Sequence, residues 1–261
     1  MERCNVWQER NELRFYAIDG SDSMTLSAAL NFFQEAAISH AHNLGVGREA
    51  MAKANHVWIL SRMNVQVERR PKYGETITVR TWPRGGEKLF AIRDFEIRDC
   101  HDLPVITASS CWIIIYLDSR RPIRPQTIIE RLPLNEGLNS GLPTPPRLQE
   151  HISMEKAAER RAFYNEVDYN GHVNNVSYIR WIEDAIDPSL LEQAKKMYLN
   201  INYLNEIRPG ETTEIWKKNI IVESEVFANP SHAFAFEGKS KRGEQCVCSF
   251  RAELGLWNMC G

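Results

Sequence analysis

The two halves of the chain carry the same short motifs in the same order. An Asn-Val-Gln-Val segment at 64–67 is followed by Gly-Glu-Thr at 74–76, and an Asn-Ile-Asn-Tyr segment at 200–203 is followed by Gly-Glu-Thr at 210–212, with the same spacing. A repeat of this kind indicates that one supersecondary unit occurs twice. The chain is therefore predicted to fold as two copies of one unit.

A helix is predicted upstream of each repeated strand. Residues 30–37 resemble residues 178–185, and the first stretch has an apolar stripe at i, i+3 and i+4 spacing. The stripe consists of Leu26, Ala29, Leu30, Phe33, Ala36, Ala37 and His40. The second helix is predicted to begin near Asn174 or Asn175, which are good N-caps, and to end before Pro188.

Several strands are predicted after each helix, and a segment rich in proline and glycine separates the two halves. The predicted strands are 56–69, 75–82, 88–98, 104–117, 196–205, 211–223, 231–240 and 244–257. This order predicts an α+β double hotdog, in which each repeat wraps a bent antiparallel sheet around a long helix. The predicted boundaries are 1–120 for the N-terminal repeat, 121–155 for the linker and 156–261 for the C-terminal repeat.

The overall composition excludes several classes of protein. The 261 residues carry a formal net charge of -2, which gives no electrostatic basis for binding nucleic acid. The start of the sequence lacks the apolar core of a secretory signal, and no apolar run is long enough to span a bilayer. Six cysteines occur without a second pair at metal-ligand spacing, so reduced thiols and no metal site are predicted. A cytoplasmic protein without membrane insertion is expected.

The densest polar cluster is the turn at 168–175, which lies between a strand-like run at 161–167 and the second helix. The turn presents a carboxylate, an amide and an imidazole at alternate positions, on Asp168, Asn170 and His172. It also leads into a helix N-terminus, whose free N–H groups stabilise negative charge. The same residue types occur in ordinary capping turns, so the pattern alone leaves both interpretations open.

Three segments of the chain together resemble one enzyme family. The turn at 168–175 is followed by Tyr-Ile-x-Trp at 178–181, and it is accompanied by the stretches 110–122 and 203–206. These segments look like the signatures of the acyl-acyl-carrier-protein thioesterases of plants and bacteria. The resemblance implies a double hotdog that hydrolyses acyl-acyl-carrier-protein thioesters to free fatty acid and carrier protein in fatty acid biosynthesis. It also implies that acyl carrier protein bearing a fatty acyl chain is the partner.

The resemblance also implies a set of catalytic residues. Matched by position, the family's catalytic aspartate, asparagine, histidine and glutamate fall on Asp168, Asn170, His172 and Glu206. Asp168 is expected to orient the loop. The sequence departs from the plant members at one position, because Ile207 stands where they have a cysteine after the glutamate. A thiol nucleophile at that position is excluded, which favours a carboxylate-based mechanism.

The residue types suggest how such a site works. Thioester hydrolysis needs an activated water and a stabilised oxyanion. Glu206 is predicted to act as the general base, or alternatively as a nucleophile that forms an anhydride. Asn170 is expected to hold the water or the carboxylate, and His172 to orient these groups or to stabilise the leaving thiolate. The backbone N–H of Val173 or Asn174 is the predicted oxyanion donor, and no metal or organic cofactor is required.

Comparison of the two halves predicts a single active site. Alignment at the Gly-Glu-Thr turns places Arg70 opposite Glu206, and alignment at the strand ends places Asp22, Met24 and Leu26 opposite the three side chains of the turn. The N-terminal repeat lacks the full polar set and is predicted to accommodate the acyl chain instead. The candidate pocket residues, each of which is also compatible with plain core packing, are Leu30, Phe33, Trp58 and Leu60.

Several alternatives remain open at the level of sequence. An acyl-CoA thioesterase would use the same chemistry on a different carrier, and a non-catalytic acyl-binding hotdog module would use the same fold without turnover. Arg120, Arg121 and Arg124 are either a contact for an acidic carrier protein or a solvated part of the linker. The sequence also leaves a homodimer open, and it gives no preference for the length or saturation of the acyl chain.

Overall fold

The two halves of the chain fold into the same series of elements. The computed structural model describes residues 3–133, 135–221 and 229–258. The N-terminal repeat contains β1 (Trp7–Glu12), α1 (Leu26–Asn43), α2 (Arg48–Lys53), β2 (His56–Val67), β3 (Thr76–Glu87), β4 (Phe90–Arg98) and β5 (Pro104–Tyr116). The linker adds β6 (Pro122–Ile123) and α3 (Gln126–Ile129). The C-terminal repeat contains β7 (Glu155–Arg161), α4 (Asn175–Asp184), α5 (Pro188–Gln193), β8 (Ala194–Tyr203), β9 (Thr212–Asn219), β10 (His232–Arg242) and β11 (Gln245–Asn258).

The strands of both repeats form one continuous antiparallel sheet. The strand order is β1-β3-β4-β5-β2-β8-β11-β10-β9-β7, with β6 paired to β5. The second half of this order repeats the first half in reverse, and the two halves meet where β2 pairs with β8. This arrangement confirms the predicted α+β double hotdog. The predicted boundaries of the repeats and the linker stay a prediction.

Each long helix packs against the inner face of the strands of its own repeat. In the N-terminal repeat Phe33 of α1 contacts Phe95 of β4, with their ring centroids 5.0 Å apart. In the C-terminal repeat Tyr178 of α4 lies edge-on to Phe250 of β11, with a centroid distance of 5.4 Å. The helices and the inner faces of both sheet halves share one large core. Burial of these apolar side chains is the main source of stability.

The second helix lies within its predicted limits, because it follows the N-cap Asn174 and ends before Pro188. It ends at Asp184, and Pro188 begins the separate helix α5 because proline lacks a backbone N–H and therefore suits a first helical turn. The strand-like run predicted at 161–167 is wrong beyond its first residue. Strand β7 stops at Arg161, and Tyr164–Glu166 form a 3-10 turn whose start is capped by the Glu166 carboxylate. Residues 222 and 223 of the predicted strand at 211–223, and Cys260, lie outside the described residues.

The linker is bound across the outer face of the sheet at the seam between the repeats. The Asn64 side chain of β2 donates to the Pro143 carbonyl at 3.0 Å. The Asn202 side chain of β8 accepts from the Leu148 N–H at 2.8 Å and donates to the Pro146 carbonyl at 3.0 Å. Because both amides are buried, these bonds satisfy polar groups that would otherwise destabilise the seam. The linker is therefore part of the packed structure.

His40 is a fully buried histidine near the end of α1, and its environment predicts a pH-dependent stability. Its Nδ1 accepts from Arg93 at 3.1 Å and its Nε2 donates to the Cys4 carbonyl at 3.0 Å. Burial and the neighbouring guanidinium lower the pKa of His40 from 6.5 to about 4. Because the unfolded chain binds this proton first, the stability that neutral His40 contributes is present above pH 6.5 and lost as the pH falls towards 4.

We expect about 3 kcal/mol of unfolding free energy to be lost across this interval through His40. The measurement is urea unfolding at a series of pH values on the parent and on His40→Gln, with the exposed His101→Gln as the matched control. The curve of His40→Gln should be flatter than that of the parent, and His101→Gln should follow the parent. Parallel curves for all three proteins would contradict the assignment of a neutral buried imidazole.

Candidate active site

The polar turn before α4 has a backbone that is fixed by its own hydrogen bonds. The Asp168 N–H donates to the His172 carbonyl at 2.8 Å, and the Gly171 N–H donates to the Asp168 carbonyl at 3.0 Å. The Asn170 N–H donates to the Asp168 carboxylate at 2.7 Å. Gly171 has a φ of +77°, a conformation that glycine adopts without strain. The turn is thereby rigid and presents the His172 side chain towards the end of β8.

The turn is joined to α4 and to the loop after β8 by backbone hydrogen bonds. Asn174 is the N-cap of α4, and its side chain accepts from the Val176 N–H at 2.8 Å. The Asn174 N–H donates to the Glu166 carbonyl, and the Val173 N–H donates to the Ile207 carbonyl, both at 2.8 Å. Because these two N–H groups already donate to backbone carbonyls, they are not available to bind an oxyanion. This argues against the oxyanion role predicted for Val173 and Asn174.

The central contact of the site joins Glu206 to His172. The Oε2 atom of Glu206 lies 3.1 Å from the Nε2 atom of His172, although the two residues belong to separate segments of the chain. The Glu206 side chain is 33% exposed and the His172 side chain is 25% exposed, so the pair faces solvent while its surroundings are packed. A carboxylate in contact with an imidazole is a common arrangement for moving a proton.

Two arginines hold Glu206 in this position. Arg120 forms an ion pair with the Oε1 atom of Glu206, and Arg242 donates to its backbone carbonyl. Arg242 also pairs with Glu211 at 3.3 Å, which ties the end of β10 to the same loop. Arg120 was predicted to be either a carrier contact or a solvated residue, and its pairing with Glu206 was missed. No local pattern in the sequence indicates a contact between residues so far apart.

Asp168 and Asn170 interact mainly with each other. The Asn170 side-chain amide lies 3.4 Å from the Asp168 carboxylate, in addition to the bond from its backbone N–H. In the described part of the chain, no hydrogen bond joins either side chain to His172 or Glu206. The structure therefore brings together His172 and Glu206 directly, and it places Asp168 and Asn170 beside them on the same turn.

Tyr178 is a buried aromatic residue next to the site, and no role was predicted for it from the sequence. Its ring lies 5.4 Å from that of Tyr203 and 5.7 Å from that of Trp181. Burial raises the pKa of the Tyr178 phenol well above its usual value, and the Glu206 carboxylate raises it further. Tyr178 is therefore a neutral hydroxyl group under the charged residues.

An open cavity of about 910 Å³ borders the turn on the side of Asp168. Its wall includes Phe163, Tyr164 and Tyr169, three aromatic residues with exposed fractions of 63%, 96% and 57%. Arg48 of α2 stacks on the Tyr169 ring at 4.0 Å from its centroid, so the N-terminal repeat also reaches this edge of the site.

The same turn occurs in the N-terminal repeat, where it carries different side chains. Its backbone bonds are matched one by one, with Asp19 N–H to Ser23 carbonyl at 2.9 Å corresponding to Asp168 N–H to His172 carbonyl. The residues opposite Asp168, Asn170 and His172 are Asp19, Ser21 and Ser23. The predicted counterparts Asp22, Met24 and Leu26 are wrong by three positions, because hydrogen bonding rather than spacing decides the register. Asp22 corresponds to Gly171, and both have a positive φ.

Arg70 stands opposite Glu206, as predicted, and forms a buried ion pair with Asp19. It also donates to the carbonyls of Met24 at 2.8 Å and Leu191 at 2.9 Å. A structural cation thus lies beside the N-terminal turn, at the place where a partly exposed carboxylate lies beside the C-terminal turn. The shared backbone is a folding element in both repeats, and the side chains of the C-terminal turn are the part that requires a functional explanation.

The four candidate pocket residues lie in different places, and three of them are buried while Trp58 is half-buried. Leu30 and Phe33 belong to the main core between α1 and the sheet. Leu60 is buried on β2, and Trp58 packs in a second cluster with residues such as Val46, whose carbonyl accepts its indole N–H at 2.9 Å. Their role in binding an acyl chain stays a prediction.

Two further properties concern the described residues alone. They contain no group of three or more His, Cys, Asp or Glu side chains arranged to hold a metal ion. No helix in these parts of the chain has the length and apolar character needed to cross a bilayer.

Two protein-family models match this chain. Models described as the acyl-ACP thioesterase N-terminal domain and the acyl-ACP thioesterase C-terminal domain match residues 4–130 and 149–251. The chain belongs to the acyl-ACP thioesterase family. Both halves of the family's architecture are thus present in order, and the four residues at 168, 170, 172 and 206 lie within the second matched segment.

Members of this acyl-ACP thioesterase family from plants are among the similar curated proteins. The chain is 31% identical over 220 residues to a chloroplastic palmitoyl-acyl carrier protein thioesterase of Cuphea hookeriana, covering 77% of this chain and 52% of the relative. It is 26% identical over 234 residues to the chloroplastic oleoyl-acyl carrier protein thioesterase 2 of Arabidopsis thaliana, covering 82% and 63%. The chain therefore spans between half and two thirds of the length of these relatives.

Solved structures of acyl-ACP thioesterases have the same fold. An acyl-ACP thioesterase from Bacteroides thetaiotaomicron superposes with a TM-score of 0.82 at 24% identity, covering 96% of this chain and 97% of that one. The 12:0-ACP thioesterase from Umbellularia californica superposes with a TM-score of 0.79 at 21% identity, covering 98% of both chains. At this level of identity the likeness concerns the fold alone.

Proposed function

We propose that the chain hydrolyses thioesters of fatty acyl chains bound to acyl carrier protein and releases free fatty acid. The observation that carries this proposal is the 3.1 Å contact between Glu206 and His172 at a solvent-facing site, within a chain of this family. Acyl carrier protein enters the proposal because the names of the relatives specify it. A role in fatty acid biosynthesis and a cytoplasmic location are parts of the same proposal, although these relatives are described as chloroplastic.

In the proposed mechanism, the Glu206–His172 pair removes a proton from a water molecule as that water attacks the thioester carbonyl carbon. The resulting tetrahedral oxyanion collapses, the carbon–sulfur bond breaks, and the pair returns the proton to the departing thiolate. The alternative, attack by the Glu206 carboxylate to form an anhydride that water then opens, uses the same two residues. Asn170 and Asp168 shape the adjoining turn, and the Asn170 side-chain amide is the group proposed to hold the water.

The decisive test is hydrolysis of a matched panel in which the same acyl chains are carried either by acyl carrier protein or by coenzyme A. We expect free thiol to appear with both, and kcat/KM to be higher with the carrier protein. A higher kcat/KM with coenzyme A would favour the acyl-CoA thioesterase alternative. Binding of acyl chains without any turnover would indicate a non-catalytic module.

Blocking the thiols is expected to leave turnover largely intact. Ile207 occupies the position after Glu206, and burial raises the pKa of the Cys111 and Cys248 thiols to about 11, which disfavours their thiolate forms. Cys100 and Cys246 are exposed and should react with an alkylating reagent. The measurement is the hydrolysis rate before and after alkylation, with circular dichroism as the control for folding. A complete loss of rate in a folded protein would support a cysteine mechanism.

A further inference from the structure

Arg120 reaches the candidate active site from the other repeat. It lies in the turn between β5 and β6, whereas its partner Glu206 follows β8 in the C-terminal repeat. Together with Arg48, which stacks on Tyr169, it brings the N-terminal half to the edge of the catalytic turn. The two predicted catalytic segments, the turn at 168–172 and Glu206, belong to the C-terminal half alone. The contact of Arg120, a residue of the N-terminal half, with Glu206 is therefore a separate feature that needs its own explanation.

The turn that carries Arg120 is held in a defined shape. The Arg120 N–H donates to the Tyr116 carbonyl at 3.0 Å, and the Tyr116 N–H donates to the Arg121 carbonyl at 3.0 Å. The Leu117 N–H donates to the Asn55 carbonyl at 2.9 Å, which fixes the base of the turn to the start of β2. Arg120 itself has a φ of +57°, a conformation that few residues other than glycine adopt. The backbone conformation of this turn thus directs the Arg120 side chain towards Glu206.

The ion pair itself adds little to stability. The side chains of Arg120 and Glu206 are 47% and 33% exposed, and ion pairs that are this open to water stabilise proteins by only about 0–1 kcal/mol. Its geometric effect is larger. Arg120 occupies Oε1, His172 contacts Oε2, and Arg242 binds the backbone carbonyl, so Glu206 is held at three points. Without Arg120 the carboxylate would be free to rotate away from His172.

We propose that Arg120 is a positioning residue that holds the Glu206 carboxylate in contact with His172, so that the active site is completed by the N-terminal repeat. This inference rests on the proposed hydrolysis. A group that fixes the geometry of a base acts on the chemical step and not on substrate binding, because misplacement of a catalytic group by about 1 Å costs up to 10²-fold in rate. Arg120 thus affects kcat through Glu206 and makes no contact with the reacting atoms.

The test compares Arg120→Met, Arg120→Lys and the matched control Arg121→Met. Arg121 is the exposed neighbour in the same turn, and within the described residues its side chain forms no ion pair. We expect Arg120→Met to lower kcat on the order of 10- to 100-fold with little change in KM. Arg120→Lys should recover part of the rate, and added guanidinium ion should raise the rate of Arg120→Met but not that of the parent. Arg121→Met should resemble the parent.

A second substrate separates positioning from docking. On an acyl-pantetheine thioester without a carrier protein, a positioning role predicts the same fractional loss of kcat in Arg120→Met. If Arg120 served to bind an acidic carrier, KM for the carrier-bound substrate alone would rise, and Arg121→Met would share the effect. That result would overturn the inference, as would an unchanged kcat in Arg120→Met. An active parent with inactive Glu206→Gln and normal Arg120→Met would refute only the role of Arg120, whereas an inactive parent would refute the proposed function itself.

Discussion

Glu206→Gln is expected to lower kcat by about 10²- to 10⁴-fold while the protein remains folded. Glutamine has nearly the same shape and can still contact His172, but it carries no negative charge and cannot accept a proton from water. The side chain is one-third exposed, so the substitution leaves no buried group without a partner. The measurement is the steady-state rate on the best acyl-carrier substrate, with the thermal unfolding temperature as the check on folding.

Glu68→Gln is the matched control for this substitution. Glu68 directly follows the central strand β2 and forms a half-exposed ion pair with Lys196, at the end of the β2–β8 pairing that is remote from Glu206. Its loss should leave kcat within about twofold of the parent, since an exposed pair contributes little. A folded Glu206→Gln variant that turns over as fast as Glu68→Gln would remove Glu206 from the mechanism.

Arg70→Met is expected to destabilise the protein by about 3–5 kcal/mol, because it removes one member of a buried ion pair. Arg70 is only 7% exposed, and its loss removes the guanidinium donor from the Oδ2 atom of Asp19 and from the carbonyls of Met24 and Leu191. The measurement is the free energy of unfolding in urea. Asp19→Asn in the same background should recover part of the loss, because it removes the buried charge that Arg70 had neutralised.

The neighbouring Arg69 provides the control. Arg69 pairs with Glu75 at 2.9 Å, but its side chain is 42% exposed, so Arg69→Met should cost about 1 kcal/mol or less. Equal and small losses for Arg69→Met and Arg70→Met would contradict the view that the N-terminal turn is held by a buried cation.

The internal repeat was sufficient to predict the fold because it is carried by residues that are adjacent in sequence. Strand alternation and helical period are local, and both halves show them independently. The predicted correspondence between the two polar turns was wrong by three residues, because no local pattern in the sequence defines it. The hydrogen bonds within each turn define which residues correspond, and sequence spacing does not show them. The bonds from the Met24 N–H to the Pro71 carbonyl and from the Val173 N–H to the Ile207 carbonyl give the same register, and they join segments far apart in the chain.

The candidate site was predictable in its residues and less so in its contacts. The motif at 168–172 and Glu206 could be found by resemblance, and the structure places His172 against Glu206. Arg120 lies within the stretch 110–122 that carries the resemblance, but its contact with Glu206 could not be predicted, because this ion pair spans 86 positions and links the two repeats. The N–H of Val173 or Asn174 was predicted to be the oxyanion donor, and only the folded chain shows that both groups donate to backbone carbonyls.

The seam between β2 and β8 determines how the halves of this molecule can move. The paired residues run from Arg62 with Asn202 to Val67 with Met197, and the linker is bonded across the same strands. Opening the halves like a hinge would break this ladder, and a slip of one residue would turn the apolar side chains of one of the two strands away from the core. A long acyl chain is therefore expected to gain access through loop motions near the site, and the two repeats are expected to unfold as a single cooperative unit.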